Sequence, residues 1–170
     1  MAINLTNSNV KGNCDMKCDY NFKYNNSNSI ATNMGSFIQV SYEDSGIPPV
    51  TYNNIKYIVS SIQILYPSII YYNNSNSFGN IVIEHTSLKN KGLLYVIIPL
   101  VISASTSTAS SLITQIIDSV ATNAPNTKEN VNLNINGFTL QNIIPKSPFY
   151  TISPSSQETF ILYDLNNAIG

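Results

Sequence analysis

A predominantly β fold with one helix is predicted by three features of this sequence. Short apolar segments recur between turn signals. Their apolar residues are mostly β-branched or aromatic, and only one stretch spaces its apolar residues at helical intervals. At 170 residues, with 43% hydrophobic and 10% charged residues, the chain has the length of one domain and enough apolar character to fold as a globule.

Residues 1 to 35 are polar and broken by Asn, Gly and Ser, with weak alternation only from Cys18 to Tyr24. They are expected to form an extended N-terminal arm with one edge strand, ahead of a β domain over residues 36 to 170. Within that domain the strand segments are Ser36 to Tyr42, Lys56 to Tyr66, Asn80 to Thr86, Leu93 to Ile102 and Thr159 to Leu165. The helix is expected near residues 106–123, where Leu112, Ile113, Ile116, Ile117 and Val120 share one side and Pro125 blocks continuation. Asn is abundant, and runs such as Tyr24 to Asn28 and Tyr72 to Asn76 read as turns, because the Asn side chain caps its own turn and tolerates left-handed angles. The apolar run Gly92 to Ile102 is about half the roughly 20 residues a membrane helix needs, so no membrane span is expected.

Composition narrows the function classes. Every basic residue is Lys, the formal net charge is -1, and the bidentate fork of Arg is missing, which argues against nucleic acid as a partner. Cys14 and Cys18 lack a nearby His, so they cannot complete a structural zinc shell; two free thiols are expected, with a local disulfide as the alternative. The start lacks a basic region followed by an apolar core, so no secretory signal is expected. A Ser/His/Asp hydrolase would rest on the single histidine, His85, and no G-x-S-x-G elbow accompanies it. Glu43, Asp44 and Glu84, the acids nearest apolar segments, read as solvated turn and strand residues, and no phosphate-cradling glycine loop occurs. His85 itself is expected to be a partly exposed strand histidine. Tyr66, Tyr71 and Tyr72 cluster around one turn, at the core edge or in an interface.

Four stretches carry most of a resemblance to a known family, and a fifth adds to it weakly. Tyr57 to Tyr66 looks like the strand that normally reads Q-F-H-F-H-W, and Ile81 to Thr86 looks like its partner, E-L-H-L-V-H. Gly92 to Leu100 is similar to the core strand G-L-A-V-L-G-I-F-L. Ile143 to Thr151 looks like L-L-P-x-S-x-x-Y-W-T, and Thr159 to Asp164 looks more weakly like V-T-W-I-V-L. In this order they resemble the α-carbonic anhydrases, and most closely the carbonic-anhydrase-like proteins of large DNA viruses. The resemblance implies a mixed, mainly antiparallel sheet, C-terminally truncated relative to the enzymes and left with an open edge.

Carried over residue by residue, the family's three zinc-ligand positions fall on Gln63, Leu65 and Val82, and its T-T-P-P substrate loop has no counterpart between Ser153 and Glu158. The expectation is a protein with no catalytic, metal or cofactor site, whose single His85 faces away from Val82. The function so implied is a non-catalytic viral structural protein, a minor capsid or virion surface component. It would be located in the virion and contact other virion proteins or further copies through the open sheet edge. The alternatives are an attachment module binding host glycan and a zinc-dependent carbonic anhydrase.

Overall fold

A computed structural model describes residues 3–5, 20–24, 29–42, 48–52, 54–66, 70–72, 75–76, 78–89, 92–100, 108–123, 125–133, 141, 143–144, 150–155 and 158–163. Cys14, Cys18, Glu43, Asp44, Asn73 and Asn74 lie outside these residues. The strands are β1 (Ile3–Leu5), β2 (Tyr20–Phe22), β3 (Ser29–Asn33), β4 (Phe37–Val40), β5 (Val50–Tyr52), β6 (Ile55–Leu65), β7 (Ile70–Tyr72) and β8 (Ser75–Asn76). They are followed by β9 (Gly79–Ser87), β10 (Leu93–Leu100), β11 (Asn130–Leu133), β12 (Tyr150–Ser155) and β13 (Glu158–Leu162). The single helix among the described residues, α1, spans Thr108–Asn123.

A ten-stranded sheet runs in the order β11-β3-β4-β6-β9-β10-β13-β12, with β2 and β5 extending from β6, and β1, β7 and β8 form a separate small sheet. In the large sheet every pair is antiparallel except β10 with β13. The predominantly β fold with one helix is therefore as expected. The segment expected as an arm with one edge strand contributes three strands, of which β3 lies inside the large sheet between β11 and β4. Its side chain Ala31 is completely buried.

Two-residue periodicity explains how the sheet builds its core. On β9, Ile81 and Ile83 point to one face, opposite Ile64 and Ile62 of β6 and Ile98 and Val96 of β10. All six are buried. On β6 the phase of this pattern changes, because the register shifts between Val59 and Ser61. The bulge lets the odd-numbered Tyr57 and Val59 join the even-numbered Ile62 and Ile64 on the core side. The helix closes this core with Leu112, Ile113, Ile116 and Val120, each worth about 1.5–3 kcal/mol on burial. Ile117, expected on the same apolar stripe, is 40% exposed. At 100° per residue it lies past the edge of the packed side.

Asparagine does work as a turn former here. Between β3 and β4 the Gly35 N–H donates to Asn33 Oδ1 at 2.9 Å, and Gly35 takes a φ of 90° that favours glycine. Asn54 holds a φ of 68° where β5 turns into β6. Gly79 is needed for a different reason: a Cβ there would collide with the Leu65 carbonyl oxygen on the neighbouring strand. Gly79→Ala is expected to destabilise the fold by about 1–3 kcal/mol, as overpacking does, and denaturant titration of the two proteins measures it.

Candidate functional site

The three family positions come together on the sheet face turned away from the core. Gln63 of β6 pairs directly with Val82 of β9, and Leu65, two residues along the same face, pairs with Asn80. Directly paired side chains have Cβ atoms about 4.5–5.5 Å apart, so three ligands placed at these positions could converge on one ion. The residues present do not fit one. Leu65 and Val82 carry no lone pair, which leaves the Gln63 amide as the single donor where a catalytic zinc takes three. Zinc chemistry therefore has no route through this set.

Apart from the buried Asn80 beside Leu65, the nearest surroundings are apolar. Ile97 pairs with Val82 across β9 and β10, and Leu162 of β13 lies beside Ile97 in the parallel register. Val82, Ile97 and Leu162 are all buried. Among the described residues no three of His, Cys, Asp and Glu gather as a metal-binding group.

A polar cluster continues along the same face. The bulged Ser60 has its hydroxyl 3.0 Å from Glu84 Oε1 and 3.1 Å from the Glu84 carbonyl oxygen. Glu84 is paired with Tyr95 and hydrogen-bonds it. Tyr95 in turn stacks on Phe160 with ring centroids 4.9 Å apart and planes 18° from parallel. Burial raises the Tyr95 phenol above its usual range, and the Glu84 and Glu158 carboxylates add to that by opposing a second negative charge. Glu84, expected as a solvated strand residue, is half-buried here.

His85 faces the other side of the sheet, as its parity required. It is not partly exposed, however; it is completely buried. A buried imidazole needs a partner for each ring nitrogen. His85 Nδ1 lies 3.1 Å from the Leu94 carbonyl oxygen, which can only accept, so Nδ1 carries the proton. Nε2 then accepts from the Tyr24 hydroxyl at 2.8 Å. Tyr24 is buried too, its N–H donating to Gln141 Oε1 at 2.9 Å and its ring meeting Tyr42 edge-on. This pair ties the segment after β2 to the middle of the sheet. Tyr24 and Gln141 escaped the sequence reading because Tyr24 closes only a weakly alternating stretch and Gln141 lies in no periodic apolar segment. The one available signal was a histidine in phase with Ile81 and Ile83 on the same strand.

With this geometry established, comparison with solved structures identifies the fold as that of the α-carbonic anhydrases. The α-carbonic anhydrase of Photobacterium profundum superposes with a TM-score of 0.73 at 13% identity, covering 95% of this chain and 71% of that one. A hyperthermostable carbonic anhydrase from an active hydrothermal vent chimney gives 0.65 at 17% identity over 85% of this chain. Dioscorin, in a complex with ascorbate, gives 0.73 at 15% identity over 95% of this chain. Likeness at these identities shows the fold alone. The chain spans 63% of the vent enzyme's length. No protein-family model and no curated protein sequence matches it.

Burial holds the His85 pKa down from 6.5 to about 4, against a smaller opposing effect of its hydrogen bond to Leu94. A lowered folded-state pKa means the unfolded chain takes up the proton first. The contribution of neutral His85 is therefore complete above pH 6.5 and is lost as pH falls towards about 4. At about 1.4 kcal/mol per unit this amounts to about 3 kcal/mol. Urea midpoints measured from pH 7 to pH 4 are expected to fall along this course, and the part due to His85 to be missing in His85→Gln. Tyr24→Phe leaves Nε2 without its donor and is expected to cost about 1–3 kcal/mol at pH 7 in the same measurement.

Proposed function

We propose that this chain is a non-catalytic protein that uses a carbonic-anhydrase-like scaffold for contacts with other proteins, as a minor capsid or surface component of a virion. The observation that carries the non-catalytic part is the occupancy of the three family positions. Gln63, Leu65 and Val82 supply one weak donor in an apolar setting that includes Ile97 and Leu162. A water on such a site has no metal to lower its pKa, and the hydration of carbon dioxide has no nucleophile.

The virion assignment is supported by the resemblance of the strand segments to the viral members of the family. A role in contacts is supported by the sheet itself. Among the described residues no strand pairs with the outer side of β11 or of β12. Unpaired strand edges offer backbone donors and acceptors to an incoming strand. The few lysines with described side chains, Lys23, Lys56, Lys89 and Lys128, are exposed and scattered, which makes a sulfated glycan the weaker choice of partner.

Two experiments test this reading. Protein incubated with zinc, desalted and analysed for metal is expected to carry far less than one zinc per chain and to leave the hydration of carbon dioxide at its uncatalysed rate. The triple substitution Gln63→His, Leu65→His, Val82→His is expected to acquire one zinc per chain, because register and parity already converge there. Stoichiometric zinc with hydratase activity in the unaltered chain overturns the non-catalytic reading. In the second experiment the chain is expected to copurify with intact particles and to crosslink to a neighbouring virion protein. A soluble monomer that never accompanies particles overturns the virion assignment, and salt-sensitive retention on heparin would move the reading to glycan attachment.

A further inference from the structure

We propose that a groove at one end of the large sheet, roofed by α1, is a binding site for a small uncharged aromatic molecule. The groove forms where β6 ends at Leu65 and Tyr66 continues beyond it, where Phe78 leads into β9, and where β10 ends at Leu100. The turn between β3 and β4 closes one side, and Ile117 and Val120 of α1 cover the top. Its volume is about 450 Å³, within the range of roughly 300–1,000 Å³ typical of small-molecule sites.

The apolar surface is concentrated here. Of the six large apolar side chains exposed among the described residues, Tyr66, Phe78 and Ile117 line the groove, and Met34 sits in the turn beside it. Scattered exposed apolar residues need no explanation, but a cluster in a concavity points to something it receives. Tyr66 and Phe78 already contact each other, with ring centroids 4.6 Å apart, and form a two-ring lip.

The walls are held by backbone rather than by loose side-chain packing. The Phe78 N–H donates to the Leu100 carbonyl at 2.9 Å, the Met34 N–H to the Phe37 carbonyl at 2.9 Å, and the Asn33 N–H to the Glu129 carbonyl at 2.9 Å. Gly79, next to Phe78, has no room for a side chain. The concavity is thus preformed, which spares a ligand the cost of ordering it.

Area and charge decide what occupies it. At about 150–250 Å² for a whole aromatic side chain, the exposed parts of Tyr66 and Phe78 come to about 170–280 Å², and the smaller exposed parts of Ile117 and Met34 bring the total to about 400 Å² at most. That is half of the roughly 800 Å² per partner in a standard protein interface, too little for a second copy of the chain. Among the described residues no Lys, Arg, His, Asp or Glu lines the groove, so a charged ligand would lose its water and gain no counter-charge from them. A neutral two-ring molecule matches the aromatic lip and the apolar walls, with Ser36 at the polar side of the groove to meet a single hydroxyl or amine.

Fluorescence titration of the full 170-residue chain with N-phenyl-1-naphthylamine, an uncharged two-part aromatic dye, tests the proposal. Saturable 1:1 binding with micromolar affinity is expected, weakened at least tenfold by Ile117→Lys and by the groove-filling Ala121→Trp. Leu88→Lys, which alters an exposed apolar residue that does not line the groove, is expected to leave binding unchanged. Circular dichroism shows that each variant is folded, and a variant that is not is replaced by Phe78→Ser. The absence of saturable binding overturns the proposal, as does equal binding by folded Ile117→Lys. Sedimentation showing a dimer that Ile117→Lys dissociates overturns it in favour of a second copy as occupant.

Discussion

The register between β6 and β9 is the constraint on which the rest of the molecule depends. Side chains alternate across a strand, so pairing Gln63 with Val82 and Ile62 with Ile83 assigns every residue of both strands to a face at once. One face receives the isoleucines of the core cluster, to which α1 also contributes, and the other receives Gln63, Leu65, Val82 and Glu84. A slip of one residue would exchange the two sets, placing Glu84 in the core and the isoleucines outside. The bulge at Ser60 keeps both ends of a long strand in phase with this arrangement, because without it Tyr57 and Val59 would leave the core.

The face carrying Gln63, Leu65 and Val82 shows how little a sheet demands of any one side chain. What positions three side chains around a point is backbone pairing, and backbone pairing depends on apolar pattern rather than on any one residue. The positions can therefore be filled by Leu and Val without disturbing the sheet. Apolar residues at such buried places favour stability, since Val82 and Leu162 keep carbon away from water where polar nitrogen would lose it. Apart from Gln63 and Asn80, polar groups of this face gather in the Ser60–Glu84–Tyr95 cluster, where they partner one another.

Much of this was legible in the sequence, and the rest was hidden for physical reasons. The expected segments at Lys56 to Tyr66, Asn80 to Thr86, Leu93 to Ile102 and the helix near 106–123 match β6, β9, β10 and α1 to within a few residues, because each buries a long apolar pattern. β3 went unseen, since among its described side chains Ala31 alone is fully buried, and its strand conformation is imposed by β4 and β11. β5, β11 and β12 were missed likewise, being short or polar and strand only through their neighbours. Parity correctly predicted which face Gln63, Leu65, Val82 and His85 would take. It carried no information on depth, so the complete burial of His85 and its bond to Tyr24, 61 residues away, emerged only in three dimensions.

The parallel pairing of β10 with β13 bears on how the chain comes to be folded at all. The two strands are adjacent in space but 65 residues apart in sequence, as in the pairing of Leu93 with Glu158. At the usual 5–20 residues per second of synthesis, β10 waits about 3 to 13 s before its neighbour has been made. During that interval one side of the most apolar strand in the molecule presents free amides and carbonyls next to Val96, Ile97 and Ile98. Folding of this domain is thereby a late and largely non-local event, of the slow kind that long-range strand pairing imposes. The nascent chain depends on its surroundings to keep β10 from finding another strand first.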